Sequence, residues 1–187
     1  MVTNGKSGTG FGLFALGFMV AFLVLFGGAS VYLKYGHPPV ATADPAFPME
    51  EQVVHVPLGI RIASELKTAP FSADGATLEA GAKIYVKNCA SCHGTPGHNV
   101  PYAQWMYPAA PPLWEKHHNN NVVGVSDDET GETYWKVSNG IRLTGMPAYQ
   151  HILSETEMWQ VSLLLKNADQ PLSPSVAGIL SAPANQP

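Results

Sequence analysis

The chain opens on a polar, glycine-rich stretch, residues 1–10, and then carries no charge from Phe11 to Leu33. Those 23 residues would make about 34 Å of helix, enough to cross the ~30 Å hydrocarbon core of a bilayer with some tilt. Tyr32, Lys34 and Tyr35 at its end suit an interfacial anchor. A cleaved export signal is the alternative, with Lys6 ahead of the apolar run and small residues at 27–30. The run exceeds the usual apolar region of such signals, ~7–15 residues, so a retained single transmembrane helix is expected at 11–33. Residues 34–73 read as a Pro-rich linker, with prolines at 38, 39, 45, 48, 57 and 70. Within it, Met49 to Leu66 is more apolar than a free tether. That strip reads either as a strand or short helix on a domain surface, or as a docking strip for a partner subunit.

From Asp74 the spacing changes to that of a compact domain, expected over 74–167. Leu78, Ala82, Tyr85 and Val86 share one helical face, so Thr77 to Asn88 reads as an amphipathic helix. Residues 94–125 carry five prolines and read as loop. Ser126 and Glu129 have the spacing of a capping box, which predicts a second helix that Asn139-Gly140 ends. Ser154 and Glu157 repeat the pattern ahead of a third helix through about Asn167, with Met158, Val161, Leu164 and Leu165 at helical spacing. Residues 168–187 read as a Pro-rich, weakly ordered tail. The fold class expected is all-α.

Charge narrows the function classes. Only 13% of residues are charged, against about 25% in an ordinary globular domain. The shortfall traces to the apolar run and to 18 Gly and 16 Pro. From Tyr35 onward there are 8 Lys/Arg and 14 Asp/Glu, a net −6. Nucleic-acid binding needs a clustered basic face, and none is visible.

The chain has two cysteines, Cys89 and Cys92, so a long-range disulfide framework is excluded. They sit in Cys89-Ala90-Ser91-Cys92-His93, the C-x-x-C-H signal for covalent haem attachment. The thiols lie one helical turn apart, each able to bond one vinyl group of a porphyrin. His93 can offer an imidazole nitrogen to the iron from the same side. A zinc site would need further soft ligands, and His98, His117 and His118 would supply them only in an unusual arrangement. A redox dithiol would need a βαβ context, which is not visible.

Further positions support haem. Met146, in Gly145-Met146-Pro147, lies 53 residues beyond His93 with a helix between. A thioether is a soft, neutral ligand suited to the iron's sixth position, and Pro147 stiffens its loop. Pro111-Pro112-Leu113 can offer a rigid carbonyl to the other imidazole N–H, as metal-bound histidines require, with Leu113 packing on the haem. Arg142 is a candidate partner for a haem propionate. Tyr102, Trp105, Tyr107 and Trp135 are expected in the pocket wall or core.

With these elements in place, residues 74–167, about half the chain, resemble the class I cytochrome c family. The matching elements are Gly81-x-x-x-Tyr85, the 89–93 pentapeptide, Pro111-x-Leu113, Tyr134-Trp135-x-Val137-x-Asn139-Gly140-Ile141 and Gly145-Met146-Pro147. The resemblance implies a small all-α domain around one covalently attached haem c. It also implies thioether links at Cys89 and Cys92, iron ligation by His93 and Met146, and a Pro111 carbonyl bonded to His93.

Two axial ligands leave no open coordination site, so single-electron transfer is the expected activity, not catalysis. The resemblance further implies that haem is attached outside the cytoplasm, so the haem domain is expected on the periplasmic side of the inner (cytoplasmic) membrane. The expected partners are the membrane and redox proteins, met either as a tethered carrier or as a haem subunit of a respiratory or photosynthetic complex. The competing reading is a haem-based ligand sensor or peroxidase-like enzyme in which Met146 leaves the iron.

Overall fold

A computed structural model describes residues 7–117 and 121–181. His118, Asn119, Asn120 and the outermost parts of both predicted tails (1–6 and 182–187) lie outside the described residues. The chain divides into two compact units, residues 1–46 and 47–187. All regular secondary structure among the described residues is helical.

The first unit holds α1, Ser7–Tyr35. Its segment Gly10–Tyr35 is long and apolar enough to cross a membrane. From residue 10 onward its side chains are exposed, among them Phe11, Phe14, Leu25 and Leu33.

The second unit is built from α2 (Glu50–Ser64), α3 (Gly75–Asn88), the single turn α4 (Ala90–His93), α5 (Thr130–Asn139), α6 (Glu155–Lys166) and α7 (Pro174–Leu180). α3 starts where Asp74 accepts a hydrogen bond from the Thr77 N–H at 2.7 Å, satisfying one of the donors that a helix start leaves free. α6 starts on a complete capping box between Ser154 and Glu157. Ser154→Ala is therefore expected to lower stability by about 1 kcal/mol, read as a shifted urea midpoint with unchanged slope.

The second capping box expected from sequence does not form. α5 begins at Thr130 with Glu129 as its cap and no side-chain bond there. The backbone around Ser126 is spent in turns instead, Ser126 N–H donating to Val123 O at 3.0 Å and Asp128 N–H to Val125 O at 3.2 Å. Lysines fasten this corner, Lys136 Nζ to the Asp128 carboxylate and Lys166 Nζ to its carbonyl, both at 3.0 Å.

α3, α5, α6 and α7 enclose one core. Trp159, Tyr85, Leu164, Leu180, Val161 and Val176 are its largest fully buried side chains. α3 crosses α6 at Gly81. A Cβ on Gly81 would strike the Gln160 carbonyl and lie 3.1 Å from Leu164 Cβ, so only glycine lets the two backbones come this close. Trp159 stacks on Tyr134 with ring centroids 3.9 Å apart.

Two segments are more structured than their proline content indicates. In the stretch read as a tail, Ser173 caps α7 by accepting from Val176 N–H, and Pro174 takes the first turn, where a missing N–H costs nothing. Val176 and Leu180 then bury completely. In the stretch read as a linker, 50–64 is helical despite the internal Pro57. Ile62 is buried, the Trp135 indole N–H donates to Glu65 at 2.7 Å, and the Arg61 guanidinium lies 5.8 Å from the centre of the Trp135 ring. The indole hydrogen bond, then Arg61, holds the Glu65 carboxyl below its ordinary pKa.

Candidate functional site

A cavity of about 380 Å³ opens in the second unit. Cys89, Cys92, His93, Pro111, Leu113 and Met146 all line it. Arg142 does not: it is exposed and lies outside the wall. None of the four aromatics expected in the pocket wall or core lines it, and of the four Trp135 alone is buried. Trp105 and Tyr102 are largely exposed and Tyr107 is partly so. Trp135 is buried, but its indole serves α2. Bulk and aromaticity alone do not tell a pocket wall from a helix contact.

The cysteine segment is presented by the break between α3 and α4. Cys92 N–H and His93 N–H both return to Cys89 O, at 3.1 and 3.0 Å. Gly94 ends the turn at φ 72°, and a Cβ there would meet His98 O at 2.5 Å. Three tyrosine hydroxyls then hold this segment by its carbonyls. Tyr149 donates to Asn88 O at 2.6 Å, Tyr102 to Ser91 O at 2.5 Å and Tyr85 to Gly94 O at 2.8 Å. Burial drives the Tyr85 phenol far above its ordinary pKa, so it stays a hydrogen-bond donor at any working pH. Nothing in the motif itself announces these phenols, because they come from three separate parts of the chain.

His93 Nδ1 lies 2.8 Å from Pro111 O. A carbonyl only accepts, so Nδ1 carries the proton and Nε2 keeps its lone pair for a metal. Burial lowers the pKa of the imidazole against the opposing pull of the Pro111 carbonyl, which favours the neutral, ligating form. Both thiols are free. Burial, then the neighbouring Cys92, pushes the Cys89 thiol up to about 12.

Met146 enters from the loop after α5. Gly140 ends that helix at φ 66°, where a Cβ would lie 2.7 Å from Met146 O. Thr144 Oγ1 donates to Ile141 O at 2.7 Å and accepts from Met146 N–H at 3.0 Å. The loop is thereby stiffened two residues before the thioether. The Met106 side chain also reaches this loop: a Cβ on Gly145 would meet its ε-methyl at 2.7 Å. Met106, Thr144, Lys136, His55 and Leu58 line the cavity without having been candidates from sequence. Lys136 Nζ is held by Glu132 at 2.6 Å and Asp128 at 3.0 Å.

Two thiols, one imidazole nitrogen and one thioether thus converge on a single, mainly apolar cavity, and this donor set fits a haem c. The family comparison agrees with the geometry. Residues 76–163 match a family model described as cytochrome C oxidase, cbb3-type, subunit III. No curated protein and no solved structure matches the chain. The match runs from α3 into α6 and contains the pentapeptide, the Pro111 turn and the Met146 loop. The match covers a little less than half of the chain, and together with the cavity it supports a class I c-type cytochrome domain at residues 76–163.

Proposed function

We propose that this c-type cytochrome is a membrane-anchored, single-haem electron relay whose haem domain faces the periplasm. The observation that carries the reading is the convergence of Cys89, Cys92, His93 and Met146 on one cavity. Cys89 and Cys92 would bond the haem vinyl groups. His93 Nε2 and the Met146 sulfur would hold the iron. Haem c supplies a one-electron Fe(III)/Fe(II) couple, and a Met/His pair of axial ligands raises its potential.

The remaining residues shape that couple. The Pro111 carbonyl fixes the His93 tautomer and makes the ring a better donor. Leu113, Val137 and Leu165 line the cavity with apolar surface and keep water from the iron. With His93 and Met146 both given to the iron, the site would serve electron transfer and not the binding of a substrate.

α1 would anchor the chain in the inner membrane, with the N-terminus on the cytoplasmic side. Tethering keeps a carrier at high effective concentration near its partners. The family description, an oxidase subunit, favours a fixed place in a membrane complex. The partner is then a quinol-oxidising or dehydrogenase module on one side and an electron acceptor on the other.

The test is expression with a haem-attachment system, mild detergent extraction and size-exclusion chromatography. The haem is expected to stay with the polypeptide through acidified acetone and to be lost in the Cys89→Ser/Cys92→Ser double variant. A haem peak holding one 20.0 kDa chain would identify a tethered carrier. Reproducible co-elution with other membrane subunits would identify a complex subunit. A polypeptide that matures without haem would sink the proposal.

A further inference from the structure

One wall of the cavity is supplied from outside the cytochrome domain. α2 ends at Ser64, before the family match begins at residue 76, yet His55 and Leu58 on it line the cavity. The helix is seated by specific contacts. Ile62 buries, Glu65 takes the Trp135 indole hydrogen bond, and Arg61 lies over the Trp135 ring. At the other end of α2, the Tyr107 phenol faces the Glu50 and Glu51 carboxylates.

Haem c brings two carboxylates into a cavity that is mainly apolar, and buried or half-buried carboxylates need donors. Apart from His93, the described lining residues with a basic nitrogen are His55 and Lys136. Lys136 is already committed to Asp128 and Glu132. The one ion-pair partner of His55 among the described residues is Glu51, one turn away on the same helix, with Nδ1 at 3.9 Å from its Oε1. No described bond occupies Nε2. The side chain is 62% exposed, so it stands at the cavity's mouth, where a polar edge of a ligand would emerge. Arg142 is not part of this wall.

We infer that His55, carried on α2, donates its Nε2–H to a haem propionate, and that α2 thereby closes the propionate edge of the haem cleft. The inference rests on the haem reading above. His55 is a positioning residue for the cofactor: it does not touch iron. A donor here offsets propionate charge and disfavours the ferric state, so losing it lowers the midpoint potential.

The experiment uses the full-length holoprotein in detergent with isotope-labelled histidine, followed by NMR in both oxidation states. The His55 ring signals are assigned by their disappearance in His55→Gln. They are expected to shift and broaden on going from diamagnetic ferrous to paramagnetic ferric protein. His55→Leu is expected to lower the potential at fixed pH. Trp135→Phe, which frees Glu65 and loosens α2, is expected to weaken the ferric broadening of His55. Identical His55 signals in the two states, in a protein whose haem is attached and Met-ligated, would overturn this inference alone. A chain purified without haem would take down the underlying reading with it.

Discussion

Met146→Ala is expected to leave the iron with one protein ligand, to let the reduced protein bind carbon monoxide in the absence of denaturant, and to lower the midpoint potential. The potential change should be a sizeable part of the ~0.8 V that axial ligands span. The control is internal. Met106 lines the same cavity beside Gly145 and is the one other thioether in its wall among the described residues. Met106→Leu, which keeps the volume, should retain the six-coordinate spectrum and exclude carbon monoxide. If Met106→Leu opens the site and Met146→Ala does not, the ligand assignment is reversed. If the unaltered protein binds carbon monoxide readily, the sensor or peroxidase-like reading replaces electron relay.

The largest stability effect is expected at Trp159. It is 1% exposed, it stacks on Tyr134, and it stands on the helix that meets both α3 and α5. Trp159→Ala removes that stack and leaves a cavity in close-packed surroundings, at a cost of about 3–5 kcal/mol. That is a large share of the ~5–15 kcal/mol that holds a typical domain together. Urea titration of the holoprotein, followed by helical circular dichroism, measures it. Trp159→Phe keeps most of the stacked area and should cost clearly less. An alanine variant as stable as the parent would mean that the α5–α6 contact is not what closes the core.

Local signals make part of this architecture legible in the chain. α3 and α6 can be read from periodic apolar positions and from Ser154–Glu157, because caps and helix faces are set by residues three or four apart. The pentapeptide is legible because covalent attachment demands a fixed spacing. Ser126 and Glu129 have the same spacing as a true capping box, yet the backbone there satisfies itself in turns, which no local pattern distinguishes. Proline misleads in two directions. At Pro174 it starts a helix rather than breaking one, and at Pro57 it sits inside one that tertiary contacts sustain. The place of α2 is not legible, since it depends on Glu65 finding Trp135 seventy positions away. His55 and Lys136 become site residues only through such long-range contacts.

The three phenols that hold the carbonyls of Asn88, Ser91 and Gly94 bear on the speed of the reaction itself. A redox centre exchanges an electron quickly when its surroundings need hardly move between the two charge states, since every displaced atom adds to the barrier. The anchoring points fall one helical turn apart along the segment that carries both cysteines and the histidine. With the Pro111 carbonyl accepting from His93 Nδ1–H, the dipoles on that side are set before an electron arrives. Nuclear reorganisation on that side of the centre should therefore be small, and slower self-exchange after Tyr149→Phe, at unchanged driving force, would be its kinetic signature.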